Sequence, residues 1–326
     1  MRAARLRQAA RHALEYYDLP VRRLSLLGNY TNSMFRVDAA DGTAYALRIC
    51  APGWRTEEDL RAEIAWLQAL SRAPEIGAPL PITARDGGCL IKVEMAGEAE
   101  ARRCLLTSWL PGGQLAKHLT EKNLERMGAL FARLHRFSLD FVPPPDFTRR
   151  RMERVLARGE EDALFSASCQ AGLPERARGL LARVAQRVEG AFARRYADPR
   201  GLRVIHNDLW HGNIKLYRGR LYPLDFEDTL WGYPVQDIAM AAHDLMTDVP
   251  REAFEPLLAA LRRGYERLEP WPEDYADEMD TFRAGRELWV ANYVARVDQP
   301  HLAGYLERIA PMLEQFLETG ALRKVR

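Results

Sequence analysis

One stretch restricts the possible folds of this chain more than any other. Leu202-Arg203-Val204-Ile205 leads into His206-Asn207-Asp208-Leu209-Trp210-His211-Gly212-Asn213. Ile214-Lys215-Leu216-Tyr217, a turn at Arg218-Gly219-Arg220, and Leu221-Tyr222-Pro223-Leu224 then run up to Asp225-Phe226-Glu227. The short apolar runs read as strands, and the last two flank a turn, as in a β-hairpin. A hairpin brings its two ends together. Asn213 and Asp225, at those ends, are therefore expected to share one location, with the polar loop carrying Asp208 leading into it.

That juxtaposition has a chemistry. Phosphoryl transfer needs a carboxylate beside the attacking hydroxyl and hard oxygen ligands for Mg²⁺. Asp208 supplies the first, and Asn213 and Asp225 supply the second. A His-x-Asp triplet alone arises by chance. The pattern His-x-Asp-x-x-x-x-Asn, followed by a hydrophobic-Asp-Phe turn with strands on both sides, is far more specific.

The remaining composition sets bounds. At 326 residues with 47% hydrophobic content, the chain can build two lobes with a sizeable core. Its net charge of only +2 supplies no field that points to nucleic acid or an anionic membrane surface. The four cysteines, Cys50, Cys89, Cys104 and Cys169, form no CxxC pair or Cys/His cluster, which argues against structural zinc and fits a reduced, cytoplasmic protein. No apolar run reaches the ~18 residues of a membrane span. The Arg-rich, acid-free start resembles a transit peptide, but Leu6, Ala10, Ala13, Leu14 and Tyr17 share one helical face, which predicts an amphipathic helix packed on the first lobe.

Leu24 to Val37 and Thr43 to Ile49 read as three short strands, with a hairpin turn at Asp41-Gly42. The small polar run Gly28-Asn29-Tyr30-Thr31-Asn32-Ser33 is a candidate phosphate loop, although an ordinary turn has the same composition. Arg48, in an alternating strand, is followed by a helix opening at Thr56-Glu57-Glu58-Asp59 that carries Glu63. A strand cation and a helix carboxylate in that order hold nucleotide phosphates in kinases. Leu90 to Met95 and Cys104 to Leu110 read as further strands, and the lobe boundary is placed there, giving residues 1–107 and 108–326. Beyond it the pattern is mainly helical, with a charged helix expected from Arg149-Arg150-Arg151. His135 is expected to be a core or capping histidine rather than a catalytic one. Asp237 is expected either to cap its own helix or to hydrogen-bond the catalytic loop.

On these residues the chain resembles the aminoglycoside phosphotransferase/choline kinase-like family, from about Leu24 to Leu245, with the Trp-Gly-Tyr-Pro-x-x-Asp-Ile-Ala stretch ending near Asp237 in its expected place. The resemblance implies an α+β, bilobal protein-kinase-like fold, with a small β-rich N-lobe carrying one helix and a larger, mainly helical C-lobe. It implies Asp208 as catalytic base, Asn213 and Asp225 as Mg²⁺ ligands, and ATP as donor. Arg48, Glu63 and Ser33 fall on the phosphate side, and Ser108 and Leu110 offer hinge backbone groups to adenine. The family commonly has Lys where this chain has Arg48, which keeps the charge but changes the shape of the head group.

The implied partner is a small-molecule hydroxyl acceptor. Glu227, Asp228, Trp231, Tyr233, Trp289 and Tyr293 are candidates for the wall of its pocket, since carboxylates and aromatic faces suit an amino-bearing alcohol such as an aminoglycoside, homoserine or a choline-like molecule. Homoserine also needs a cation for its carboxylate, for which Arg286 and Arg296 are candidates. Two other readings stand beside this one. A stress-type protein Ser/Thr kinase is disfavoured by the absence of an activation segment after Asp225. A catalytically inactive nucleotide-binding regulator has only Arg48 in its favour.

Overall fold

The computed structural model describes residues 2–324 except Tyr30, Ala96, Asp146, Thr148, Arg149 and 157–160. The N-lobe begins with helix α1 (Arg2–Leu14), followed by strands β1 (Val21–Asn29), β2 (Ser33–Ala39) and β3 (Ala44–Ile49), helix α2 (Glu57–Leu70), and strands β4 (Leu90–Val93) and β5 (Arg102–Ser108). The strands form one antiparallel sheet in the order β1-β2-β3-β5-β4. Alternation along β2 turns Phe35 and Val37 inward, where they meet Leu47, Ile49 and Leu106. The apolar stripe of α1 (Leu6, Ala9, Ala10, Ala13 and Leu14) joins that same core, so the N-terminal segment is the expected amphipathic helix. A capping box opens α2: Thr56 Oγ1 accepts from Asp59 N, and the Asp59 carboxylate accepts from Thr56 N.

The C-lobe is mainly helical: α3 (Glu121–Leu139), α4 (Ala167–Ala171), α5 (Glu175–Tyr196), α6 (Pro234–Asp248), α7 (Arg251–Glu266), α8 (Glu278–Val297) and α9 (Leu302–Thr319). Two small sheets sit among these helices. One joins β6 (Gly113–Gln114) to the hairpin of β8 (Ile214–Tyr217) and β9 (Arg220–Pro223). The other pairs β7 (Arg203–Ile205) with β10 (Leu230–Gly232). Helices α3 and α7 cross in close backbone contact through two glycines. A Cβ on Gly128 would lie 1.9 Å from Leu261 O, and one on Gly264 1.8 Å from Glu125 O.

One expected element is absent. Arg150 to Met152 do not start a helix. Trp231 N donates to Arg150 O and Met152 N donates to Trp231 O, so this stretch runs extended along β10. The open edge of the two-stranded β7/β10 sheet offers backbone partners that a local helix would have to forgo. Arg149 lies outside the described residues. No helix among the described residues is long and apolar enough to cross a membrane.

Candidate active site

The candidate catalytic loop, from His206 to Asn213, hangs from one buried carboxylate. Asp237, in the first turn of α6 and fully buried, accepts from His206 N at 3.0 Å, from Asn207 N at 2.7 Å and shares a 3.1 Å contact with His135 Nε2. Of its two expected roles, it takes the one that ties the loop. Asn207 adopts a left-handed backbone, φ +62°, which turns the chain so that Asp208 faces the cleft. His206 Nδ1 accepts from Asp208 N, which leaves Nε2 as the protonated nitrogen donating to Leu224 O at 2.8 Å. Burial lowers the pKa of this imidazole, in keeping with that neutral tautomer. One histidine therefore joins the loop to the strand end that precedes Asp225.

The hairpin closes as its ends require. Leu224 N donates to Asn213 O at 2.8 Å, and Asn213 Nδ2 donates to both Asp208 O and Asp208 Oδ2 at 2.9 Å. With its amide nitrogen turned to Asp208, Asn213 has its Oδ1 left for a cation. Asp225 also has a left-handed backbone, φ +60°, and the residue is exposed to solvent. Surrounding protein raises its pKa well above the carboxylate range; Glu227, Asp208 and Asp228 add to the rise, and Arg48 opposes it.

On the nucleotide side, both Nη atoms of buried Arg48 grip Glu63, one at 3.0 Å, and Nη1 also lies 3.6 Å from Glu227 Oε2. Burial works against the guanidinium charge, but these carboxylates outweigh it and the pKa rises. Ser33 Oγ donates to Asn29 Oδ1 at 2.8 Å, closing the β1–β2 loop on itself. At the hinge, Ser108 N donates to Leu80 O, Ser108 Oγ accepts from Leu80 N, and Leu110 O accepts from Lys215 Nζ at 2.7 Å. Tyr30, which follows β1, lies outside the described residues.

The acceptor candidates divide. The Glu227 carboxylate accepts from Asn32 Nδ2 and from Trp54 Nε1, while Asp228 pairs with Arg55. Both acids are thus engaged by the N-lobe and join the lobes. Arg150 adds to the seam, reaching Asp59 Oδ1 at 2.8 Å and Glu227 O at 2.7 Å. Tyr233 is 1% exposed, with its hydroxyl on Asp198 O, and offers no surface to the cleft. Trp231 packs edge-on to Phe147. Trp289 stacks on Tyr293, which is half exposed. Trp289 and Arg286 line a narrow cavity of about 30 Å³ together with Asn207 and Met240. Four acids that follow α7 pair with arginines: Glu269 with Arg136, Asp274 and Glu278 with Arg195, and Asp277 with Arg187.

Comparison with known proteins decides the family. The profile of the phosphotransferase enzyme family matches residues 23–271. The chain belongs to that family. It is an enzyme, a phosphotransferase of kinase type. Among solved structures it is similar to an amicoumacin kinase in complex with AMP-PNP, Ca²⁺ and Ami, with TM-score 0.81, 16% identity, and 99% of this chain and 97% of that one covered. It is also similar to a microcompartment-associated aminopropanol kinase, with TM-score 0.78, 20% identity and 97% and 99% covered. A choline/ethanolamine kinase family protein from Mesorhizobium loti follows at TM-score 0.62, 20% identity and 97% and 94% covered. These likenesses give the protein-kinase-like fold. No curated protein sequence matches.

Within this phosphotransferase the donor set suits a hard divalent cation. Asp225 and Asn213 offer oxygen, and three further carboxylates that raise the pKa of Asp225 make the spot short of positive charge. Among the described residues, no group of three or more His, Cys, Asp or Glu forms a self-sufficient metal centre. That is expected where an Asn and the nucleotide's own phosphates complete the shell.

The sequence reading missed several residues that shape the site. Trp54 and Arg55 carried no signal, because their role exists only once the lobes meet. Asp244 could have been found. It lies two helical turns beyond Asp237 on α6, and the structure places it on Arg286, whose Nη2 also stands 3.4 Å from Asp208 Oδ1.

Proposed function

We propose that this phosphotransferase moves the γ-phosphoryl group of ATP to a hydroxyl of a small, amino-bearing alcohol, with Mg²⁺ held by Asn213 and Asp225. The observation that carries the reading is the meeting of Asp208, Asn213 and Asp225 at the mouth of the hairpin. It is supported by the similar structures, one an amicoumacin kinase with AMP-PNP and Ca²⁺, another an aminopropanol kinase.

Asp208 orients the acceptor hydroxyl and takes its proton as the bond from oxygen to phosphorus forms and the bond to the ADP leaving group breaks. Asn213 fixes the Asp208 carboxylate through Oδ2. Arg48, held by Glu63, turns its remaining donors to the phosphates, and the β1–β2 loop covers them. Mg²⁺, when bound, neutralises charge on the β and γ oxygens. Ser108 and Leu110 contribute the hinge groups that Leu80 and Lys215 do not already occupy. Trp289 and Tyr293 form the aromatic side of the acceptor pocket. A protein acceptor is disfavoured because Asp225 is followed by a single short turn, Phe226–Asp228, then β10 and α6, with no long segment to dock a peptide.

The test is transfer from labelled ATP to a panel of amino alcohols, aminoglycosides and protein substrates, with and without Mg²⁺. Transfer to members of the first two classes, dependent on Mg²⁺, is expected. Asp208→Ala should lose about 10³-fold or more in kcat, the scale of removing a general base together with its positioning, while melting near the wild type. Near wild-type turnover by Asp208→Ala would refute the assignment.

A further inference from the structure

Arg286 lies beside the loop that carries Asp208 with part of its guanidinium unused. It projects from α8 with its side chain only 10% exposed. Nε and Nη2 lie on the two oxygens of Asp244, at 3.3 and 2.9 Å, and Nη2 also reaches Asp208 Oδ1 at 3.4 Å. The guanidinium lies over the Trp289 ring, 4.2 Å from its centroid. Nη1 is buried and has no hydrogen-bond partner among the described residues. Arg286 lines the same narrow cavity as Met240, Trp289 and Asn207, the residue that precedes Asp208. A buried donor pair left unused is costly, and native structures seldom carry that cost without a ligand or water to meet it.

Resting on the kinase reading above, we infer that Arg286 is a specificity-determining residue whose Nη1 binds an uncharged oxygen on the acceptor, next to the hydroxyl that is phosphorylated. Two features define that oxygen. The first is distance. The guanidinium nitrogens are about 2.3 Å apart on a rigid plane, and each hydrogen bond adds about 2.7–3.0 Å. With Nη2 3.4 Å from Asp208 Oδ1, Nη1 lies within about 6 Å of that oxygen, so a hydroxyl on Asp208 and a second oxygen on Nη1 that converge in the space between them suit 1,2- or 1,3-related oxygens. The second is charge. Asp244 and Asp208 already face this one cation. What Nη1 lacks is a hydrogen-bond acceptor, not a counter-ion, and a carboxylate brought here meets two others. The acceptor is thus a polyhydroxylated amine or a hydroxy-amide. A bare amino alcohol leaves Nη1 unsatisfied, and a hydroxy-acid such as homoserine brings the wrong charge.

Matched acceptors test this directly. Ethanolamine, serinamide and serine differ by no oxygen, a neutral carbonyl and a carboxylate; 3-amino-1-propanol and 3-amino-1,2-propanediol differ by one hydroxyl. The full-length enzyme with Mg-ATP should favour serinamide and the diol by at least tenfold in kcat/KM over their partners. Arg286→Lys keeps a cation on Asp244 but lacks the second nitrogen. It should bring both ratios to within about threefold of unity while still turning over the simple amino alcohols. A merely structural role for Arg286 would lower all acceptors together and leave the ratios unchanged. Arg286→Gln serves if the lysine variant is poorly folded. Equal use of both members of a pair, a preference for serine, or ratios that survive in the variants overturns the inference while the kinase reading stands. The same holds if the enzyme hydrolyses Mg-ATP or phosphorylates other alcohols but none that carries such an oxygen. Absence of any nucleotide turnover removes the kinase reading itself, and this inference with it.

Discussion

Replacing Asp237 by Asn isolates the anchor of the catalytic loop. The native carboxylate, fully buried, receives two backbone N–H groups and faces His135 Nε2, at 2.7 to 3.1 Å. A hydrogen bond to a charged group contributes about 1.5–3 kcal/mol, and a buried donor left without its acceptor costs a similar amount. Asparagine keeps one oxygen and points an NH₂ at groups that are themselves donors, so at least one backbone bond is lost and another weakened. The expected loss is about 3 kcal/mol, or roughly 6–12 °C in melting temperature at the ~2–4 °C per kcal/mol of larger domains. Release of His206 N and Asn207 N lets the left-handed turn at Asn207 relax and shifts Asp208. A displacement on the order of 1 Å costs about 10²-fold in rate. Differential scanning fluorimetry and steady-state kinetics read the two effects. The Mg²⁺ concentration for half-maximal activity should stay within about twofold, because both oxygens of Asp237 serve the backbone and His135 rather than a cation. A variant melting within about 1 °C of wild type with kcat within threefold would refute the anchoring argument; a selective rise in the Mg²⁺ requirement would instead make Asp237 a metal ligand.

Arg48→Lys exchanges a fork on Glu63 for a single ammonium, and the KM for ATP should rise about tenfold; an unchanged KM would mean that the bidentate grip is dispensable. The Arg55–Asp228 pair joins the lobes while buried, so Arg55→Met and Asp228→Leu alone should each destabilise by about 3–5 kcal/mol and together by much less than the sum, measured by urea denaturation. His135 is buried and its pKa is lowered from the ordinary 6.5, chiefly by burial, with Asp237 opposing. The folded state thus binds fewer protons than the unfolded chain below that value. The stability is fully present above pH 6.5 and declines as the pH falls towards the lowered folded pKa. Melting temperature should drop over that interval, and His135→Asn should flatten the slope.

Much of this was legible because it depends on short-range pattern. The apolar runs around His206–Asn213, the turn at Arg218-Gly219-Arg220 and the amphipathic stripe of α1 each determine local structure within a few residues, and a hairpin necessarily unites its ends. The expectation that Asn213 and Asp225 share one location followed from that geometry alone. Arg48 and Glu63 were legible as a strand cation and a helix carboxylate, although their two-pronged contact needed the packed lobe.

What lay beyond the sequence was everything set by one lobe meeting the other or by an open sheet edge. Glu227 and Asp228 read as acids near an acceptor, but Asn32, Trp54 and Arg55 claim them across the cleft. Arg150 to Met152 read as a helix, but the free edge of β10 holds them extended through an isolated β-bridge. Tyr233 read as a pocket aromatic, yet its hydroxyl found Asp198 O in the core. The letters of this chain determine its elements and its chemistry, since periodicity, turns and the protonation habits of side chains are local properties. Which carboxylate faces a substrate and which faces an arginine is a competition among groups far apart in sequence, and only the assembled fold brings the competitors within reach of one another.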